Sequence, residues 1–144
     1  MRTTEYVMNP FTLDPRLEAD CFKLFETPQY ILLLMNNARL PWLILVPKVE
    51  VSELYELNTE QQTHINALIN RLSRFLKQEF ELDKLNIAAI GNIVSQLHIH
   101  IVGRRHDDYC WPGVVWGAEG REDYQPEAIK KWQQQIQSLL QADE

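Results

Sequence analysis

The 144-residue chain has no long apolar run, only five glycines and only two cysteines, and it carries no excess of basic charge. Each shortage narrows what it can be. Its longest apolar stretches, such as Tyr30-Ile31-Leu32-Leu33-Leu34-Met35, fall far short of the roughly 20 residues a membrane-spanning helix needs. The opening MRTTEYVMNPF has no continuous apolar core of the secretory type, so the expectation is a soluble, cytoplasmic protein without a membrane partner. Cys21 and Cys110 stand far apart, in neither a CxxC pair nor a metal-ligand spacing, which excludes a disulfide framework and predicts two free thiols. With 14 Lys+Arg against 20 Asp+Glu the net charge is -6, which argues against binding long nucleic acid by phosphate contacts. A single nucleotide needs only a local patch. A composition of 45% hydrophobic and 24% charged residues excludes a disordered chain, and the length fits one domain, 1–144, with one site.

What is present is a clear alternation of short elements. Asp14-Pro15 reads as a helix cap and first-turn proline, opening a short helix to about residue 19. Residues 21–25, 29–35 and 42–46 read as strands, separated by Glu26-Thr27-Pro28 and by a turn at 36–41. Residues 52–57 suit a short capped helix. Thr59-Glu60-Gln61-Gln62 then has a capping-box pattern, and Ile65, Leu68, Ile69, Leu72, Phe75 and Leu76 recur behind it at helical spacing, which makes this the longest helix. Residues 85–90 and 97–102 give two more strands, interrupted at Gly91-Asn92. An aromatic loop at 109–116 precedes a last helix from about residue 126, with Ile129, Trp132, Ile136 and Leu139 on one face. Short-turned strands with one long helix between the third and fourth predict an α+β fold: an antiparallel sheet of about five strands covered on one side by that helix.

The chemistry concentrates in Ser95-Gln96-Leu97-His98-Ile99-His100-Ile101-Val102-Gly103-Arg104-Arg105. Strand alternation puts Gln96, His98, His100 and Val102 on one side and Leu97, Ile99 and Ile101 on the other. The isoleucine side is core, so the two imidazoles line the opposite face, roughly 7 Å apart from Cα to Cα. Three readings are open. The pair can be surface or hydrogen-bond-satisfied histidines without chemistry. It can be half of a metal site, with His106 or Asp107 as a further ligand if the chain turns back sharply after Arg105. It can be phosphate chemistry, one imidazole acting as nucleophile, with Gly91-Asn92 and Gly103-Arg104-Arg105 bringing N–H groups and cations to an anion.

Gln96-Leu97-His98-Ile99-His100-Ile101-Val102 resembles the histidine triad (HIT) motif, His-φ-His-φ-His-φ-φ with φ apolar, Gln96 standing in the place of the first histidine. Trp42-Leu43-Ile44-Leu45-Val46-Pro47-Lys48 is similar to the family's strand ending in proline and a basic residue, and Gly91-Asn92 to its turn before the triad. The order of hairpin, long helix, strand and triad strand fits as well. The resemblance covers roughly residues 20–116, leaving a C-terminal loop and helix at 117–144. It implies a nucleotide-binding α+β fold paired into a homodimer by a continuous sheet. It also implies nucleotidyl transfer or hydrolysis at the α-phosphorus of a nucleoside polyphosphate or phosphoramidate, as in HIT-family hydrolases of diadenosine polyphosphates.

By position in the motif, the resemblance makes His98 the nucleophile and His100 a hydrogen-bond partner of the phosphate or the bridging atom, with Gln96 orienting His98 or its neighbours. It implies Asn36 (or its neighbour Asn37) near the sugar, Asn86 and Asn92 near the phosphates, an arginine such as Arg104 beside the developing charge, and apolar side chains such as Leu32 and Leu34 near the base. Trp111-Pro112 is similar to an element that in part of the family closes over the nucleotide; an aromatic anchor is the alternative. The scheme requires no metal, and a magnesium ion accompanying the nucleotide is compatible with it. For His98 to attack phosphorus, its other ring N–H should be donated to a fixed acceptor, a backbone carbonyl being the natural choice.

The departures are specific. Gln96 cannot titrate, and Trp42 stands where many family members have another histidine close to the first of the triad. Ile93 stands where many have Ser or Thr assisting the leaving group. These losses leave open a non-catalytic nucleotide-binding or adaptor module of the same fold.

Overall fold

The computed structural model describes residues 10–141. Helix α1 (Pro15–Asp20) is capped by the Asp14 carboxylate, which accepts the N–H of Arg16, with Pro15 in the first turn. Strands β1 (Cys21–Glu26), β2 (Tyr30–Met35) and β3 (Trp42–Pro47) follow. One 3-10 turn (Leu54–Glu56) leads to α2 (Thr59–Phe80); then come β4 (Lys84–Ala88), β5 (Ile99–Arg104) and α3 (Pro126–Gln141). The five strands form one antiparallel sheet in the order β1-β2-β3-β5-β4. The expected helix at 52–57 is only a 3-10 turn. The cap of α2 lies one residue earlier than its pattern suggested: Asn58 and Gln61 exchange side-chain-to-backbone hydrogen bonds, since an amide caps as well as a hydroxyl.

Two apolar layers sandwich the sheet. On one face α2 supplies Ile65, Leu68, Leu72, Phe75 and Leu76, and α3 supplies Trp132, Ile136 and Leu140, against Leu43, Leu45, Ile99 and Ile101. The stacked rings of Phe80 and Trp132, 5.3 Å apart, join the two helices. The sequence predicts a cover on one side only, and the histidines lining the opposite face. That face is covered too: Leu17 of α1, Val94, Val115 and the partly buried Phe11, Leu13, Tyr109 and Trp116 pack on Leu33, Trp42, Ile44, Val46 and Val102. Buried on both faces, β2, β3 and β5 read as nearly continuous apolar runs. Leu32 and Leu34 belong to the helix-covered layer and are fully buried, which removes them as base-binding candidates.

Candidate active site

His98 directly precedes β5 and His100 is its second residue, opposite Ile44 of β3 and Ala88 of β4. Both rings lie on the face away from α2 and are 6% exposed. They meet edge to face with centroids 4.9 Å apart.

Each ring has one nitrogen fixed by a partner that can act in only one sense. His98 Nδ1 lies 2.7 Å from the backbone oxygen of Gln96. A carbonyl only accepts, so Nδ1 carries a proton, and in the neutral ring Nε2 holds the lone pair. His100 Nδ1 lies 3.0 Å from the indole Nε1 of Trp42. An indole N–H only donates, so here Nδ1 holds the lone pair and Nε2 the proton. Burial, and then the charge His98 would carry, push the His100 pKa down to about 4. His100 is therefore a neutral hydrogen-bond donor at neutral pH.

Gln96 uses its side chain elsewhere. Its Nε2 donates to the Thr12 carbonyl at 2.9 Å and its Oε1 accepts the Asp14 N–H at 2.9 Å, clamping the segment that enters α1. Its backbone oxygen, not its amide, orients His98. A cavity of about 60 Å³ lies against His98, lined by Ser52, Glu53, Ile90, Gly91, Ser95 and Gln96. A groove of about 390 Å³ shares Ser52, Ser95 and Gln96 with it and continues along Phe11, Thr12 and Glu50. Gly91 makes its turn at φ +68°, and the neighbouring Asn92 and Ile93 are exposed.

The remaining candidates are not gathered around His98. Arg104, 1% exposed, lies about 20 Å farther along the strand from Cα to Cα. Its Nε and Nη2 donate to the Asp108 carboxylate at 2.8 and 3.0 Å, and Nη1 donates to Asn86 Oδ1 at 2.9 Å. Burial alone would raise the Asp108 pKa, but hydrogen bonds from Arg104 and from the N–H groups of Arg105 and Cys110 hold it at about 2. The Trp111 ring lies under the Arg104 guanidinium at 5.5 Å and is edge-on to His106 at 4.8 Å, which makes it an aromatic anchor. Asn36 donates to Asp123 and accepts from the Tyr124 N–H, while Asn37 donates to the Tyr109 hydroxyl. Asn36 ties the C-terminal stretch, and Asn37 the 109–116 loop, to the far end of the sheet. Cys21 and Cys110 are free thiols. Among the described residues no group of three or more His, Cys, Asp or Glu side chains is disposed to hold a metal ion, and no helix is long and apolar enough to cross a membrane.

The HIT domain family model matches residues 16–107. The chain belongs to the HIT family. A histidine triad protein of Marinobacter aquaeolei VT8 is 41% identical with a TM-score of 0.85, covering 92% of this chain and 97% of that one. One of Sinorhizobium meliloti 1021 is 39% identical with a TM-score of 0.84, covering 90% and 97%. The diadenosine triphosphate hydrolase of Plasmodium falciparum shares the fold at 18% identity, with a TM-score of 0.57 over 96% of this chain and 83% of that one. No curated protein matches the sequence.

Sequence reasoning missed the partner of His100. Trp42 is paired with Val102, so it is the diagonal cross-strand neighbour of His100, a distance aromatic side chains bridge. The signal was the shared face, legible once the register of β3 on β5 is known.

Proposed function

We propose that this HIT-family protein is a nucleotide hydrolase or nucleotidyl transferase acting at the α-phosphorus of a nucleoside polyphosphate, such as a diadenosine polyphosphate, or of a phosphoramidate, through His98. The observation that carries the reading is the hydrogen bond from His98 Nδ1 to the Gln96 carbonyl, which in the neutral ring directs the lone pair to Nε2. The cavity against that ring shares Ser52, Ser95 and Gln96 with a groove in the size range of small-ligand sites.

In the first step Nε2 of His98 forms a bond to phosphorus while the bond from phosphorus to the leaving oxygen or nitrogen breaks. His100 Nε2–H stays on its ring and hydrogen-bonds the phosphoryl or bridging atom, while a phosphate leaving group departs as its anion and an amine takes its proton from solvent. In the second step water attacks phosphorus, the N–P bond breaks and its electrons return to His98 Nε2, and the mononucleotide leaves with its new P–O bond while the water's proton passes to solvent. Asn92, exposed beside the cavity-lining Gly91, is the phosphate ligand of this scheme. Gln96 acts through its backbone oxygen and its hold on Thr12 and Asp14. Arg104 and Asn86 serve indirectly, by fixing β5 to β4 and to the Asp108 turn. Asn36 meets a ribose only in exchange for Asp123.

The test is turnover of a dinucleoside polyphosphate by the wild type and by His98→Ala. The variant should lose at least about 1,000-fold in kcat, in line with removal of a nucleophile. Equal turnover would overturn the assignment. A second reading, a nucleotide-binding module without turnover, is favoured by the near-complete covering of both rings. It predicts that the wild type binds a mononucleotide yet hydrolyses none of these substrates.

A further inference from the structure

Two imidazoles two residues apart on one face are chemically identical until something distinguishes them. We propose that Trp42 is a positioning residue: its indole N–H, donated to Nδ1 of His100, fixes that ring with its proton on Nε2, so that His98 alone presents a lone pair and His100 presents a donor.

The contact is 3.0 Å long, and both side chains are buried, Trp42 at 7% exposure and His100 at 6%. In the other tautomer the Nδ1–H of His100 would face the indole N–H, two buried donors with no acceptor between them, a costly arrangement. The Nε2 lone pair that tautomer exposes would also compete with that of His98. An indole neither accepts nor titrates, so the instruction is the same at every working pH. The donor is itself held in place. Trp116 packs edge-on against Trp42 at 6.1 Å and against His100 at 5.3 Å, closing the two rings from the 109–116 loop. Burial of His100 works in the same direction, since a ring kept neutral must choose a tautomer.

The catalytic meaning of this arrangement rests on the nucleotide chemistry proposed for His98; the tautomer does not. The experiment therefore has two independent readouts on the full chain. In protein labelled with 15N at histidine and tryptophan, the wild type should show a through-hydrogen-bond coupling between Trp42 Nε1 and His100 Nδ1, with the His100 proton on Nε2 and the His98 proton on Nδ1. Trp42→Phe, and replacement of Trp42 by the isosteric benzothienylalanine, which lacks the N–H, should abolish the coupling and shift the His100 nitrogens toward a tautomer mixture, leaving His98 unchanged. Benzothienylalanine keeps the packing, so a folding defect of the Phe variant does not obscure the result. On a dinucleoside polyphosphate both replacements should lower kcat about 10- to 100-fold with KM held, the usual scale for loss of a supporting hydrogen bond. An Nδ1–H His100 in the wild type, an unchanged tautomer in the replacements, or an altered tautomer with unchanged kcat would each overturn the proposal. A wild type that turns over no nucleotide while showing the predicted tautomers would instead overturn the hydrolase reading, and with it the catalytic meaning given to Trp42.

Discussion

His100 ties stability to pH as well as being the proposed donor. Its folded pKa, pushed to about 4 by burial and then by the His98 charge, lies below the unfolded value near 6.5. Between those values the unfolded chain binds a proton that the folded chain refuses, so this contribution is complete above about pH 6.5 and is lost as pH falls toward 4. Urea titrations across that window should show the unfolding free energy of the wild type falling by up to about 3 kcal/mol. His100→Gln, which keeps an acceptor for Trp42, should flatten the slope; an equal slope in both proteins would contradict the account. At this scale strand alternation made the histidine face legible, and motif position pointed to His98. What could not be read were partners set by tertiary register. The Trp42–His100 bond spans 58 residues, and the Gln96 side chain turned to a segment 82 and 84 residues away instead of to its own strand.

The elements were legible where one pattern ran uninterrupted. Asp14-Pro15, the apolar stripe of α2 and the run ending at Pro47 all appear within a residue or so of expectation. Residues 52–57 were less so, because a short capped stretch suits a 3-10 turn as well as a helix. The pairing of Arg104 was not legible for a physical reason: its partner is set only when the chain folds back and Asp108 meets it in a buried bidentate pair. Strand β4 carries the element-scale prediction. It is the outer strand beside β5, with exposed Ile87 and, just beyond it, exposed Ile90 and Ile93. An outer strand presents unpaired backbone groups, and we propose that a second copy pairs there to continue the sheet. Sedimentation should give a dimer for the wild type and a monomer for Ile87→Glu; a monomeric wild type at every concentration would contradict the pairing.

At the scale of the molecule, the sheet separates two tasks. The face under α2 and α3 is an apolar core that holds β5 in place. The other face carries both histidines beneath a cover built from the N-terminal segment and the 109–116 loop. Gln96 belongs to both parts: its carbonyl aims His98 and its amide pins the cover. The central claim is that one nitrogen of His98 bonds covalently to phosphorus during turnover. The most direct measurement is mass spectrometry of protein quenched milliseconds after mixing with a dinucleoside polyphosphate, followed by fragment mapping. A nucleotidyl group on His98, absent from His98→Ala, is the predicted result; turnover with no adduct, or an adduct on any other residue, would contradict it.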